Sequence, residues 1–274
     1  MHLIFFDLDG TLLNDASEIS SFTKETLILL SESNIAYTVA TGRSMLSAKS
    51  IVAGHDFALP QIYNNGVTIW DPQNKQLTLE NLLSSAEIST VIDAAVSVGI
   101  TPFVHAIDHN HHYHYVFHPA TRHDVERDLI DKYFSQSDAK LLPLDALSND
   151  SEVTNISMIG SADAIGKMWR KIATHENLTA YSGVALEGSQ FRWMDVHHCL
   201  ANKGAAVTSL KAKLGASNII CFGDSDNDLS MFALADESYA PENAKDEIKK
   251  SASAVIGHNH ADGIAHFLRE RFSL

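Results

Sequence analysis

Three short, largely apolar runs, each stopping at a polar cluster that contains glycine, constrain the fold of this chain more than any other feature. Leu3 to Phe6 meets Asp7-Leu8-Asp9-Gly10-Thr11, Ala36 to Ala40 meets Thr41-Gly42-Arg43, and Asn218 to Phe222 meets Gly223-Asp224-Ser225-Asp226-Asn227-Asp228. Runs this short and continuous read as strands buried on both faces, which is the environment of a parallel sheet. A helical stretch from about Ser20 to Ser33, with apolar Phe22, Leu27, Leu29 and Leu30, separates the first two and gives a β-α-β rhythm. Gln61 to Trp70 reads as a strand pair broken at Asn65-Gly66, and Val255-Ile256 as a further short strand. In an open parallel sheet ligands bind beyond the carboxyl ends of the strands. If the three strands are neighbours, their terminal clusters converge on one place.

Composition narrows the class of ligand. The 274 residues carry 34 acidic against 20 basic side chains, a formal net charge of −14 with 15 histidines counted neutral. That many imidazoles are enough to cancel the charge on protonation, so the acidity depends on pH near neutrality. At pH 7 such a charge repels nucleic acid polymers and anionic membrane surfaces, and neither is an expected partner. The apolar run at the start of the sequence is four residues long with no basic segment before it, and no stretch approaches a membrane span, so neither signal peptide nor anchor is expected. Cys199 and Cys221 are too few for a disulfide framework, which fits a cytoplasmic protein. The oligomeric state is open, with a monomer as the default.

Between about Leu82 and His198 the pattern changes. Ser84-x-x-Glu87 forms a capping box opening a helix to about Val98, with Gly99 as its stop. Thr101 to Ile107 and His111 to Phe117 read as a hairpin around Asp108-His109-Asn110. Helices near 120–135 and 161–175, with strands near Val153 to Ile159, Leu178 to Ser182 and Phe191 to Val196, complete a second α/β unit. The expected organisation is a core over 1–81 and 199–274 with an inserted domain over 82–198.

The strand-end clusters carry the chemistry. Side chains two apart on an extended chain point the same way, so Asp7 and Asp9 are expected to face one pocket, with Asp224 and Asp228 arriving from another strand. Crowded carboxylates repel unless a cation neutralises them, and oxygen-only ligands select a hard ion. Mg²⁺ needs few carboxylates and suits a phosphate ligand. The Thr41 hydroxyl, the backbone N–H groups of Leu8 and Gly42, and Lys203, opening a helix to about Leu214, supply anion-binding groups. Together they describe phosphoryl transfer.

At this point the sequence resembles the haloacid dehalogenase superfamily, in its Cof-type, sugar-phosphatase-like branch with a large α/β cap. Four ordered motifs carry the resemblance: Asp7-Leu8-Asp9-Gly10-Thr11-Leu12-Leu13, Ala40-Thr41-Gly42-Arg43, Asn202-Lys203-Gly204, and Gly223-Asp224-Ser225-Asp226-Asn227-Asp228 followed by Met231. Asn65-Gly66 and Asn243-Ala244 also match, although Pro241-Glu242 stands where the family usually has a Met-Gly pair. The resemblance implies a Rossmann-like parallel-sheet core with an inserted α/β cap, and a Mg²⁺-dependent phosphatase for a small phosphorylated metabolite such as a sugar phosphate, nucleotide or phosphorylated cofactor. It implies that Asp7 is the nucleophile, forming an aspartyl-phosphate, and Asp9 the acid and then the base. Asp7, the backbone carbonyl of Asp9 and Asp224 would hold Mg²⁺, with Asp228 behind them, and Thr41, Gly42, Lys203 and Asn227 would hold the phosphoryl oxygens. A phosphomutase or phosphotransferase would use the same site. A receiver-type phosphoacceptor module shares strand-end carboxylates, a hydroxyl and a lysine, but is about half this length and has no inserted domain.

Other signals carry less. Asp224-x-Asp226-x-Asp228 begins like a calcium loop, yet Leu229 and Ala235 stand where the loop needs Gly and Glu, and Asp226 is expected at the surface. His105, His109, His111, His112, His114 and His118 crowd one hairpin, where alternation would put His112, His114 and His118 on one face. With no Cys or Glu near them in sequence, an exposed polar face is the expectation, with a role in substrate choice. Phe103, Tyr113, Tyr115 and Phe117 are expected in the hairpin core, and both cysteines as small buried hydrophobes.

Overall fold

The computed structural model describes residues 2–135 and 137–274, which divide into two compact units, Met1–Thr78 with Asn202–Leu274, and Leu79–Ala201. The first is built on a five-stranded, all-parallel sheet. Its strands, in spatial order, are Ala254–Ile256, Glu237–Pro241, Asn218–Phe222, His2–Phe6 and Ala36–Val39. Register places Phe6 beside both Phe222 and Val39, so the residues that follow these three strands leave the sheet side by side. The chain path reverses at this central strand, the place where a doubly wound sheet opens a crevice.

Both faces of the sheet are covered, as the continuous apolar runs require. Ile4, Phe6, Ile220 and Phe222 pack with Leu27 and Leu30 of the Ser21–Glu32 helix and with Ile264 and Leu268 of the Gly263–Phe272 helix. Leu3, Phe5, Ile219 and Cys221 pack on the other face with Ala206, Val207 and Leu210 of the Lys203–Leu214 helix. Each buried Phe or Ile contributes about 1.5–3 kcal/mol by leaving water. The Lys203–Leu214 helix starts where Asn202 accepts a bond from the Ala205 N–H at 2.9 Å, and ends at Gly215 in the left-handed region. That start places Lys203 on its first turn. The Gln61–Tyr63 and Thr68–Asp71 strands form the antiparallel pair expected around Asn65-Gly66.

The strand Glu237–Pro241 and the helix Gly263–Phe272 are absent from the sequence reading. The first is a central strand whose apolar content is only Tyr239 and Ala240 before a proline, and Pro241 is tolerated because it lies at the strand's last position.

The second unit is a six-stranded sheet in the order Leu178–Val184, Phe191–His198, Val153–Ser161, Phe103–Asp108, Tyr113–His118 and Lys140–Pro143, antiparallel except for the last pair. Val104, Ile156, Met158, Met194 and Val196 face the helices Ser85–Ser97 and Ala162–Ile172. The Ser84 capping box forms as read, with the Glu87 carboxylate accepting from the Ser84 N–H at 2.8 Å. Alternate positions on the other face are polar. His105 pairs with Ser157 Oγ at 2.6 Å, and Asp195 accepts from Asn155 at 2.7 Å and pairs with His197 at 3.0 Å. Burial pushes the His105 imidazole down to about 4, so it is neutral at pH 7.

The histidine hairpin differs from its sequence reading. Its turn spans residues 109–112, so His111 and His112 lie in the turn and not in a strand, and His112 takes a left-handed φ of 56°. Alternation therefore does not run from His112 to His118. Glu152, distant in sequence, supplies the acidic partner, accepting from the His109 N–H at 3.1 Å and meeting its Nδ1 at 2.6 Å. Tyr113 is 49% exposed, its ring 4.1 Å from the Lys140 ammonium, whereas Phe103 and Phe117 are buried as expected. Cys221 is buried and Cys199 only partly so.

One buried charge organises the start of the helix Asp124–Leu129. The fully buried Glu126 carboxylate accepts from Thr101 N at 2.8 Å, Thr101 Oγ1 at 2.7 Å, Arg122 N at 2.7 Å and His123 N at 3.0 Å. Glu126→Gln puts an NH₂ group where donors converge and strands at least one buried N–H. Urea denaturation should show a loss of about 1–3 kcal/mol, and a change below about 0.5 kcal/mol would contradict this assignment.

Candidate active site

The loop leaving the first strand winds tightly. Leu12 N–H donates to the Asp7 carbonyl at 3.2 Å and Leu13 N–H to that of Leu8 at 2.9 Å. Gly10 sits at φ +71°, and a Cβ there would fall 2.5 Å from Asp224 Oδ2, so both backbone angle and space demand glycine. The close approach brings the first and third strand ends together. Thr11 Oγ1 donates to Asp224 Oδ1 at 3.0 Å and Ser225 Oγ to Asp224 Oδ2 at 3.0 Å.

At the centre is Lys203, fully buried, which donates to Asp7 Oδ1 at 2.5 Å and to Asp228 Oδ1 at 2.6 Å. Asp228 is also fully buried, and its Oδ2 accepts from the backbone N–H groups of Asp224 and Ser225, each at 2.9 Å. Carboxylate oxygens of Asp7, Asp224 and Asp228 lie within 4.8 Å of one another. Burial, against the pull of Lys203 and reinforced by Asp228 and Asp224, holds the Asp7 carboxyl well above the ordinary carboxylate range. Burial and the neighbouring Asp228 raise Asp224 as well. Lys203 goes the other way: burial opposes its charge, but Asp228 and Asp7 outweigh it and hold the ammonium protonated above the ordinary lysine range.

These residues fit a hard divalent cation. The donors are all carboxylate oxygens, and three carboxylates against one ammonium leave two negative charges uncompensated in a buried site.

The remaining residues singled out in the sequence are placed as follows. Thr41, 1% exposed, accepts through Oγ1 from the Arg43 N–H at 3.1 Å, and its backbone N–H donates to the Ile62 carbonyl at 3.0 Å. A Cβ at Gly42 would lie 3.2 Å from Asn65 Oδ1 and 3.4 Å from Asn227 Nδ2, so Asn65, Asn227 and Gly42 border one space. Asn227 donates to Asn65 Oδ1 at 2.9 Å. Leu8 is buried among Ile4 and Phe6, so its backbone is what it can offer a ligand. Asp9 stands outside the carboxylate cluster, bonded to Arg43. Asp226 is at the surface, paired with Lys245 at 2.5 Å.

Several contributors escape sequence reasoning. Thr11 and Ser225 orient Asp224, and Asn243 donates to the Gly10 carbonyl at 2.6 Å despite the Pro241-Glu242 departure before it. Asn243 in turn accepts from the Asn259 N–H at 3.1 Å, and Asn259 donates to the Leu13 carbonyl at 2.8 Å, tying down both ends of the loop. The only advance signal for Asn243 was its place in the Asn-Ala pair.

Comparison with known proteins identifies the family of the chain. A family profile of haloacid dehalogenase-like hydrolases matches residues 4–268. The chain is 28% identical over 289 residues to 5-amino-6-(5-phospho-D-ribitylamino)uracil phosphatase YwtE of Bacillus subtilis, covering 100% of this chain and 99% of that protein. It is 25% identical over 278 residues to pyridoxal phosphate phosphatase YbhA of Escherichia coli, covering 97% of each. The crystal structure of a haloacid dehalogenase-like hydrolase from Bacteroides thetaiotaomicron has the same fold, with a TM-score of 0.78, 22% identity and 98% of each chain covered. Among the described residues no helix is long and apolar enough to cross a membrane. With the profile spanning nearly the whole chain and the relatives matching it end to end, this chain belongs to the haloacid dehalogenase-like hydrolases, in their Cof-type branch, and is an enzyme of that hydrolytic class.

Proposed function

We propose that this enzyme is a Mg²⁺-dependent phosphatase that hydrolyses a small phosphorylated metabolite through an aspartyl-phosphate on Asp7. The observation that supports it above the others is the buried Asp7–Lys203–Asp228 array beside Asp224, charged for one divalent cation and one phosphate. The two named relatives support a small substrate, since each acts on a phosphorylated small molecule.

Lys203 holds Asp7 Oδ1, which leaves Oδ2 to attack phosphorus in line as the bond to the leaving oxygen breaks. Asp9 gives its proton to that oxygen, then takes one from the water that attacks the aspartyl-phosphate, and Asp7 is regenerated. Asp7, Asp224 and the Asp9 backbone carbonyl would hold Mg²⁺, which when bound supplies positive charge to the phosphoryl oxygens. Asp228 orients this set through its bonds to Lys203 and to the N–H groups of Asp224 and Ser225. An ammonium has three donors, and with two on carboxylates the third of Lys203 is left for a phosphoryl oxygen. The Thr41 hydroxyl, the Leu8 and Gly42 N–H groups and the Asn227 amide are the other donors to that phosphoryl group.

A set of phosphorylated metabolites together with p-nitrophenyl phosphate should reveal phosphate release that drops by at least ~100-fold with a chelator and returns on adding Mg²⁺. Release that is indifferent to the chelator, or absent for every monoester, would overturn this function.

A further inference from the structure

The Asp9 carboxylate is the one acid of the first motif that the buried cluster does not hold. It is 53% exposed, on a loop that turns at Gly10, and both of its oxygens are taken by one side chain: Arg43 Nε donates to Oδ2 at 2.6 Å and Nη2 to Oδ1 at 2.5 Å. Arg43 itself is anchored at its backbone, where its N–H donates to Thr41 Oγ1 at 3.1 Å and its carbonyl accepts from Asn64 N–H at 2.9 Å. The other carboxylates of the site accept from Lys203, which Asp7 and Asp228 share, and from Thr11, Ser225 and backbone N–H groups. An exposed ion pair contributes little to folding stability, so stability gives no account of a fork-to-carboxylate pair joining two strand ends. What such a pair does supply is direction, because the planar guanidinium fixes the plane of the carboxylate it grips.

We propose that Arg43 is a positioning residue for proton transfer, which fixes the orientation of the Asp9 carboxylate and acts on the reaction only through it. The inference rests on the proposed role of Asp9. Each carboxylate oxygen has two acceptor directions, so the fork leaves one on each oxygen for the leaving group and for water. Arg43→Ala frees Asp9 to rotate away from the leaving oxygen, and Arg43→Lys supplies charge without the planar grip.

The test compares esters that differ in their need for a proton. p-Nitrophenolate departs almost unaided, whereas an alkoxide must be protonated. With the Mg²⁺-loaded enzyme, Arg43→Ala should lower kcat/KM, which covers the steps up to departure of the leaving group, by about 30-fold or more on an alkyl phosphate and by less than about 5-fold on p-nitrophenyl phosphate, while kcat also carries the water attack that both esters share. Arg43→Lys should fall between wild type and Arg43→Ala. In an Asp9→Asn background, Arg43→Ala should add less than about 2-fold, since the residue it positions is already disabled. Equal losses of kcat/KM on both esters, an effect confined to KM, or full additivity with Asp9→Asn would overturn the proposal and assign Arg43 to phosphate binding instead. If Asp9→Asn shows the leaving-group dependence and Arg43→Ala does not, the positioning role falls while the phosphatase reading stands. A wild-type enzyme that releases no phosphate from any monoester overturns both.

Discussion

Replacing Asp7 by Asn should abolish phosphate release while leaving the protein folded and, without metal, more resistant to heat. The substitution keeps shape and an oxygen for Lys203, but an amide cannot attack phosphorus, and removing the proposed covalent nucleophile costs at least ~10⁴-fold in kcat. The stability arm follows from charge. Asp7 is 5% exposed, and burial with Asp228 and Asp224 nearby raises its carboxyl well above the usual range. A raised folded-state value means that the charged carboxylate is disfavoured by the fold at any pH above the ordinary carboxylate range, pH 7 included. Asparagine removes that penalty, although Lys203 loses one of its two charged partners. Phosphate release and thermal melts in chelator test the two arms together. Residual turnover above about 1% of wild type would remove Asp7 as nucleophile, and a melting temperature lowered by more than about 5 °C would contradict the charge argument.

The sequence made the strand ends legible because two independent signals coincide there. Continuous apolar runs mark Leu3–Phe6 and Asn218–Phe222 as strands buried on both faces, and polar glycine-bearing clusters mark where they stop. Once those strands are neighbours, the meeting of Asp7 with Asp224 and Asp228 follows from topology. Contacts between loops are a different matter. The pairing of Arg43 with Asp9, of Thr11 with Asp224 and of Asn243 with the Gly10 carbonyl depends on loop paths that leave no periodicity in the residues. Alternation applies to extended chain, and because the loop over Leu8–Leu12 is wound it could not tell that Asp9 stands outside the carboxylate cluster with Arg43 as its partner. Alternation misread the histidine hairpin, where His112 adopts a left-handed turn conformation. Glu152 reaches His109 across a gap in sequence that only the pairing of Phe103–Asp108 with Val153–Ser161 closes. Local chemistry wrote the elements and their ends, and tertiary structure assigned partners among the side chains they carry.

Lys203→Met should give the largest loss of stability of any substitution in this site, together with a loss of activity that has a separate cause. The side chain is 0% exposed and bonds two carboxylates, at 2.5 Å and 2.6 Å. Its folded-state value is raised, so its stabilisation is in full force below the ordinary lysine range, at pH 7 included, and fades only as pH rises through the folded value. Methionine fills the same volume with no charge, leaving Asp7 and Asp228 buried without their shared partner, and breaking a buried pair in this way costs about 3–5 kcal/mol. The loss should shrink when Mg²⁺ is added, because the ion neutralises the same carboxylates, and should shrink in chelator when Asp228→Asn is combined with Lys203→Met, because one of the stranded charges is gone. Activity should return in neither case. The lost ammonium is also the proposed donor to the phosphoryl oxygens, and losing such a donor costs about 10²–10³-fold in kcat. Denaturation of the single and double variants with and without Mg²⁺, beside phosphate release, separates the two effects. A Lys203→Met enzyme within about 1 kcal/mol of wild type in chelator would mean that the buried array is not held by this charge, and recovery of turnover by Asp228→Asn would mean that Lys203 serves only to balance Asp228.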